Sequence, residues 1–301
     1  MAVSLAGRPG DHALNLGRVL GPQRASTLLN HFTATDRGIA CRYYDHSRVI
    51  GNKELVQRGQ RASPIILGSL SDLAFYDVNS IPLGSINNKK SALPFLSNYL
   101  LIPTRSGKLV FISDDHNHAA FAWGLANAAG LIKAGAVLIH IDQHQDNDPA
   151  PEHRRGTQMD LPALADYTWG KIEISDFIDA ASRIRIGDET IIDNYKVNYI
   201  LPQCNNKGYS IMTAYYDSEN PSIARRFDGR IISLERADEV LAGARRENRS
   251  VICDIDLDYF APFYGTRVNQ RKMVGFSMEE TIQRIINVTK GSDFVTIATS
   301  P

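Results

Sequence analysis

AVLIHIDQHQD, residues 136–146, and VICDIDLDYF, residues 251–260, decide how this chain is read. Each opens as a near-continuous apolar run and closes on acids. Runs this apolar read as strands covered on both faces, as in a parallel sheet. Asp142, His144 and Asp146 alternate, as do Asp254, Asp256 and Asp258. In a strand that spacing turns all three side chains to one face.

Working outward, Lys108–Ser113 (KLVFIS) is a third such strand, ending at Asp114, Asp115 and His116. An Ala- and Leu-rich helix is expected over 119–134, a helix over 174–183, a short strand over 197–201 and a helix over 237–246. A helix over 277–290 and a strand over 294–299 complete the series. Ser277 with Glu280 three residues on has the form of a capping box. Strands alternating with helices argue for an α/β protein with a mainly parallel sheet between helical layers.

Residues 1–104 are less regular. They carry β-like runs at 65–67, 74–76 and 99–102, which either extend the main sheet or cap the site. Residues 147–170 read as a long polar, Pro-containing connection placed to build a substrate pocket. The 301 residues are taken as one catalytic domain, 43% of it hydrophobic, enough for a sizeable core.

Lys+Arg and Asp+Glu are both 33, so no net charge draws the chain to nucleic acid or an anionic membrane surface. No apolar run reaches the roughly 18 residues a bilayer span needs. The N-terminus does not read as a secretory signal, and three widely spaced cysteines do not make a disulfide framework. The expected compartment is the cytoplasm. Cys253 is taken as a small buried hydrophobe.

Four carboxylates, Asp142, Asp146, Asp254 and Asp256, could share one pocket only if protons or cations neutralised them. With His116 and His144 they form a hard, oxygen-rich donor set able to hold two divalent ions. Manganese(II) is favoured, with iron(II), cobalt(II) or zinc(II) as alternatives. His118 competes with His116 as the ligand. His140, inside its strand, is read as a core histidine or one that orients a ligand. Asp114 is read as a helix N-terminal charge, and Trp123 as packing.

The three clusters resemble the signature of the arginase/ureohydrolase superfamily, which has a GGDHS-like, a DAHxD and an SFDxDxxDP-like element. Here they stand as Ser113-Asp114-Asp115-His116-Asn117, Asp142-Gln143-His144-Gln145-Asp146 and Cys253-Asp254-Ile255-Asp256-Leu257-Asp258. Their order matches, over residues 108–301, and the chain looks most similar to divergent peptide arginases, which turn arginine residues of ribosomally made peptides into ornithine. The resemblance implies a three-layer α/β/α fold. It implies one ion on His116, Asp142, Asp146 and Asp254, and another on Asp142, His144, Asp254 and Asp256. A bridging hydroxide would attack the guanidinium carbon and release urea, with Asp146 carrying the proton to the leaving nitrogen.

Departures are equally specific. Ser113 and Asp114 replace two glycines, and the third motif is one residue short before Asp258. The final strand, 295–301, lacks the acid that pairs with guanidinium in typical arginases. Asp115, Asp258 or Asp176 would take that role, with Trp169 as a substrate platform. Asp146, His144 and Asp115 are the candidate catalytic groups. The loop after Asp146 lacks the pattern that grips a free amino acid, which favours a peptide, such as a ribosomal precursor, as the partner. A homo-oligomer is compatible with the sequence. The rival expectations are an agmatinase-like enzyme on a small guanidino metabolite, a single-zinc amide deacetylase and a non-catalytic metal-binding protein.

Overall fold

The structure, a computed structural model, describes residues 16–35, 38–43, 65–74, 96, 98–147, 157–171, 176–202, 230–264 and 276–299. Helix α1 (Pro22–Leu29) leads into β1 (Phe32–Thr35), β2 (Gly38–Cys41), β3 (Ile65–Leu67), β4 (Tyr99–Pro103) and β5 (Leu109–Ser113). Then follow α2 (His118–Ala128), β6 (Ala136–Ile141), α3 (Leu161–Lys171), α4 (Phe177–Arg183), the hairpin β7 (Arg185–Ile186) and β8 (Glu189–Thr190), and β9 (Ile192–Ile200). The chain closes with β10 (Arg230–Ile231), α5 (Ala237–Arg246), β11 (Val251–Asp256), a 3-10 segment (Leu257–Tyr264), α6 (Met278–Gly291) and β12 (Phe294–Ala298).

Ten strands form one sheet in the order β1-β2-β3-β4-β5-β12-β11-β6-β9-β10. From β5 to β10 every neighbour is parallel. The described N-terminal strands extend this sheet beyond β5 through antiparallel and parallel pairings. The runs at 65–67 and 99–102 thus lie in the sheet as β3 and β4; residues 75 and 76 lie outside the described residues.

Alternation in the strands splits the core in two. Leu138, Ile252 and Phe294 face helices α2, α3 and α4 through Ala122, Leu164 and Phe177. Ile139, Cys253 and Val295 face α5 and α6 through Leu241, Ala244 and Ile285. Three layers result. Cys253 is a buried free thiol, as expected. Among the described residues no helix is long and apolar enough to cross a membrane.

The crossover order positions the site. From β6 the chain moves outward to β9 with α3 and α4 on one face. From β11 it moves the opposite way to β12 with α6 on the other. Crossovers of one hand require this opposition. The carboxyl ends of β6 and β11, adjacent and parallel, therefore flank the point where open α/β sheets bind ligands.

Three local outcomes differ from the sequence reading. Helix α2 ends at Ala128, six residues early, because Gly130 at φ 69° closes a Schellman cap. Its N–H bonds to Asn127 O while Leu131 N–H bonds to Ala126 O. The connection over 147–170 contains α3: Leu161, Leu164, Ala165 and Thr168 make a buried stripe, and Asp160 caps Ala163 N–H at 2.9 Å. The strand expected over 197–201 begins five residues earlier. The capping box at Ser277 and Glu280 forms as read.

Candidate metal centre

One row of paired residues crosses the sheet beneath α2 and α4. Phe111, Thr296, Asp254, His140 and Tyr199 are successive cross-strand partners on β5, β12, β11, β6 and β9. Two residues further along each strand come Asp256 and Asp142, on the same face. His116 reaches them from above, held in the short turn between β5 and α2 and packed on Phe177, with ring centroids 4.7 Å apart.

His116 is the centre of the cluster and is 1% exposed. Its Nδ1 lies 3.0 Å from Asp142, 3.2 Å from Asp146 and 3.2 Å from Asp256, each measured to Oδ2. Its Nε2 lies 2.8 Å from Asp254 Oδ2. His140 joins the group, with Nδ1 2.8 Å from Asp254 Oδ2 and Nε2 3.3 Å from Asp142 Oδ2. Asp146 takes a left-handed backbone, φ 46°, a conformation a non-glycine residue holds at a cost of about 1–3 kcal/mol. Its carbonyl accepts from Ile178 N–H on α4 at 3.3 Å, which ties the turn down.

A second group lies outside the first and shares Asp142. His144 Nδ1 is 3.5 Å from Asp142 Oδ1 and 2.9 Å from Asp258 Oδ2. The His144 side chain is 43% exposed and that of Asp258 22%. Asp258 N–H donates to Asp256 Oδ1 at 2.9 Å, so His144 and Asp256 are neighbours through one residue. The resemblance assigns Asp256 to the His144 ion; in the structure Asp256 Oδ2 faces His116 and Asp258 stands beside His144.

The other candidates are distributed around this pair. Asp115 sits 3.9 Å from His118 Nε2. His118 packs on Tyr99 with centroids 4.8 Å apart, and burial lowers its pKa to about 3. Of the two histidines, His116 is the one among the carboxylates. Asp176 is buried at the N-cap position of α4, next to Phe177. Trp169 falls in α3, and its side chain lies outside the described residues. Asp114 is read from sequence as a helix N-terminal charge. It is buried four residues before α2 begins and accepts from Asp115 N–H at 2.8 Å.

Charge explains the perturbed titrations. Burial alone would lower His116, yet the carboxylates of Asp254, Asp142 and Asp146 raise it well above its ordinary range. His140 goes to about 9 against the same burial, through Asp142 and Asp254. His144 rises to about 11 through its bonds to Asp142 and Asp258. Asp254 falls to about 2 despite burial because His116 and His140 face it. Burial pushes Asp146 up and takes Asp258 to about 7.

Three buried atoms, His116 Nδ1, His140 Nε2 and Asp142 Oδ2, have no hydrogen-bond partner although they crowd together at 3.0 and 3.3 Å. Such orphans are costly. Two donors about 2.1 Å from one cation are about 3.0 Å apart at a right angle and about 3.4 Å apart at a tetrahedral one. The spacing fits two ligands of one divalent ion as well as it fits an imidazole–carboxylate ion pair. His116, His140 and Asp142 form one ligand-competent group and Asp142, His144 and Asp258 another.

Sequence reading missed His140 as a potential ligand, although its i, i+2 relation to Asp142 was available. Fold and donor set define an α/β protein with a buried carboxylate–imidazole centre at the sheet's switch point. No family model matches the chain, and no curated protein does. Among solved structures it overlays an arginase from Bacillus caldovelox at 14% identity and TM-score 0.37, over 67% of this chain and 60% of that one. A Clostridium difficile protein assigned as an agmatinase gives 14% and 0.37, over 68% and 59%. A hypothetical agmatinase from Burkholderia thailandensis gives 15% and 0.34, over 64% and 50%. The chain thus spans between half and three-fifths of the length of these structures.

Proposed function

We propose that the chain is an arginase-like metallohydrolase that cuts a guanidino C–N bond, with an arginine residue of a peptide as substrate and ornithine and urea as products. The observation that carries the metal reading is the convergence of the orphaned His116 Nδ1, His140 Nε2 and Asp142 Oδ2. The motif order along the chain supports the reaction class.

His116, His140 and Asp142 would hold an inner cation, with Asp146 and Asp256 beside His116 Nδ1 and Asp254 on the other ring nitrogen of each histidine. Asp142, His144 and Asp258 would hold an outer one. Such cations, when bound, would acidify a water so that it is nucleophilic near neutral pH. Oxygen adds to the planar guanidinium carbon, the bond from that carbon to the side-chain nitrogen breaks, and that nitrogen needs a proton. Asp146, 3.2 Å from His116 Nδ1, is the acid we assign to carry it. The substrate approaches past His144, the most exposed donor. A guanidinium arriving there meets Asp258, with Asp115 and Asp176 as the other acids to test. A single-zinc amidase would leave most of these carboxylates uncompensated.

The test offers the manganese-loaded protein free arginine, agmatine, an acetyl-lysine peptide and an arginine-containing peptide. Urea release with loss of CH2N2 from the arginine peptide alone is expected. Urea from agmatine or free arginine alone overturns the substrate class. No urea from any guanidino compound, with cations bound, overturns the reaction.

A further inference from the structure

We propose that Thr296, braced by Trp123, is a positioning residue for the cation site: it locks the Asp254 carboxylate so that Oδ2 holds the ring nitrogens of His116 and His140 that are not given to the cation. The proposal rests on the metal reading above. It concerns the one polar side chain that β12, lacking an acid, adds to the row of facing residues.

The direction of the relay is fixed by chemistry. Trp123 Nε1 lies 3.2 Å from Thr296 Oγ1. An indole N–H can only donate, so the hydroxyl oxygen accepts. Its single hydrogen is then free for Asp254 Oδ1, to which Thr296 donates. Asp254 Oδ2 is left toward His116 Nε2 and His140 Nδ1, both at 2.8 Å. All five groups are essentially buried, so no water competes for these bonds.

Packing makes the relay rigid. Trp123 lies on α2, two turns after His116, and its ring rests on Phe177 with centroids 5.5 Å apart. Phe177 in turn touches His116. Helix α2 thus fixes His116 from above and Asp254 from the side, through Thr296 on the neighbouring strand. Outer partners that hold a ligand's orientation typically change metal affinity by about 10–100-fold when removed.

Three variants of the full chain test this: Thr296→Val, which keeps the shape without the hydroxyl, Thr296→Ser, which keeps the hydroxyl, and Trp123→Phe, which removes only the indole donor. Manganese affinity is measured by calorimetric titration, with the melting temperature of each metal-free protein alongside. Thr296→Val should bind about 10–100-fold more weakly and Thr296→Ser within a few-fold of the parent. Trp123→Phe should fall between them. A purely structural threonine would lower the melting temperature of Thr296→Val and leave affinity unchanged, which overturns the proposal. Parental affinity in Trp123→Phe, which leaves Thr296 in place, overturns the brace even where Thr296→Val does not fold. A parent chain that binds no divalent ion overturns the metal reading itself, a distinct outcome.

Discussion

Raising pH should weaken the metal-free protein and strengthen the metal-loaded one. His140 carries the magnitude. Its folded pKa is about 9 against about 6.5 unfolded. A raised histidine stabilises fully below the unfolded value, and that contribution fades as pH climbs through the folded one. At pH 6.5 His140 contributes about 3 kcal/mol and at pH 8.5 about 1, a loss of about 2 kcal/mol. His116, shifted upward too, adds in the same sense. Asp115 and Asp258, both raised to about 7 chiefly by burial, cost stability as pH rises from about 4 to 7. Asp254, lowered to about 2, has delivered its share by about pH 4 and does not oppose the trend. With about 2.1 cal/mol/K of unfolding entropy per residue, 301 residues convert 2 kcal/mol to a fall of about 3 °C. Manganese reverses the sign, because imidazole must shed its proton to become a ligand. The assay is melting by circular dichroism at pH 6.5 and 8.5, with chelator and then with excess manganese. A chelated protein whose melting temperature is flat or rising over that interval refutes the electrostatic reading. So does a loaded protein that follows the chelated one.

Asp142→Ala should abolish binding of both cations, since Asp142 presents Oδ2 to the inner donors and Oδ1 to His144; two equivalents retained by metal analysis would remove it as the shared ligand. His144→Ala should lose one equivalent and keep the inner one, read the same way. Gly124→Val should destabilise by about 1–3 kcal/mol in urea melts. A Cβ there would run into Leu164 and Ile186 where α2 meets α3, and an unchanged midpoint would disprove that close packing.

What was legible in sequence was what depends on one segment at a time. Apolar runs ending in acids announced β6 and β11, and Ser277 with Glu280 announced α6. His140 was opaque because a histidine in an apolar strand looks the same whether it packs or ligates. Only its register opposite Asp254 distinguishes the two. Thr296 was opaque for the same reason, being an ordinary β-branched strand residue until β11 is laid beside it. Helix α3 was hidden by the polar stretch before it, although Asp160 and the stripe from Leu161 to Thr168 carried the signal.

The last strand, Phe294–Ala298, brings no acid to the site. Asp142, Asp146, Asp254 and Asp256 bring four negative charges into a space where each is at most 8% exposed. The position beside Asp256 is Ala298, and the polar member of that strand is the neutral Thr296. Asp258, 22% exposed and beside His144, is an acid that solvent still reaches. Asp258→Asn should then raise KM for an arginine peptide well above any loss of bound cation. If KM is unchanged while an equivalent of metal is lost, Asp258 is a ligand only, and the guanidinium is met by Asp115 or Asp176.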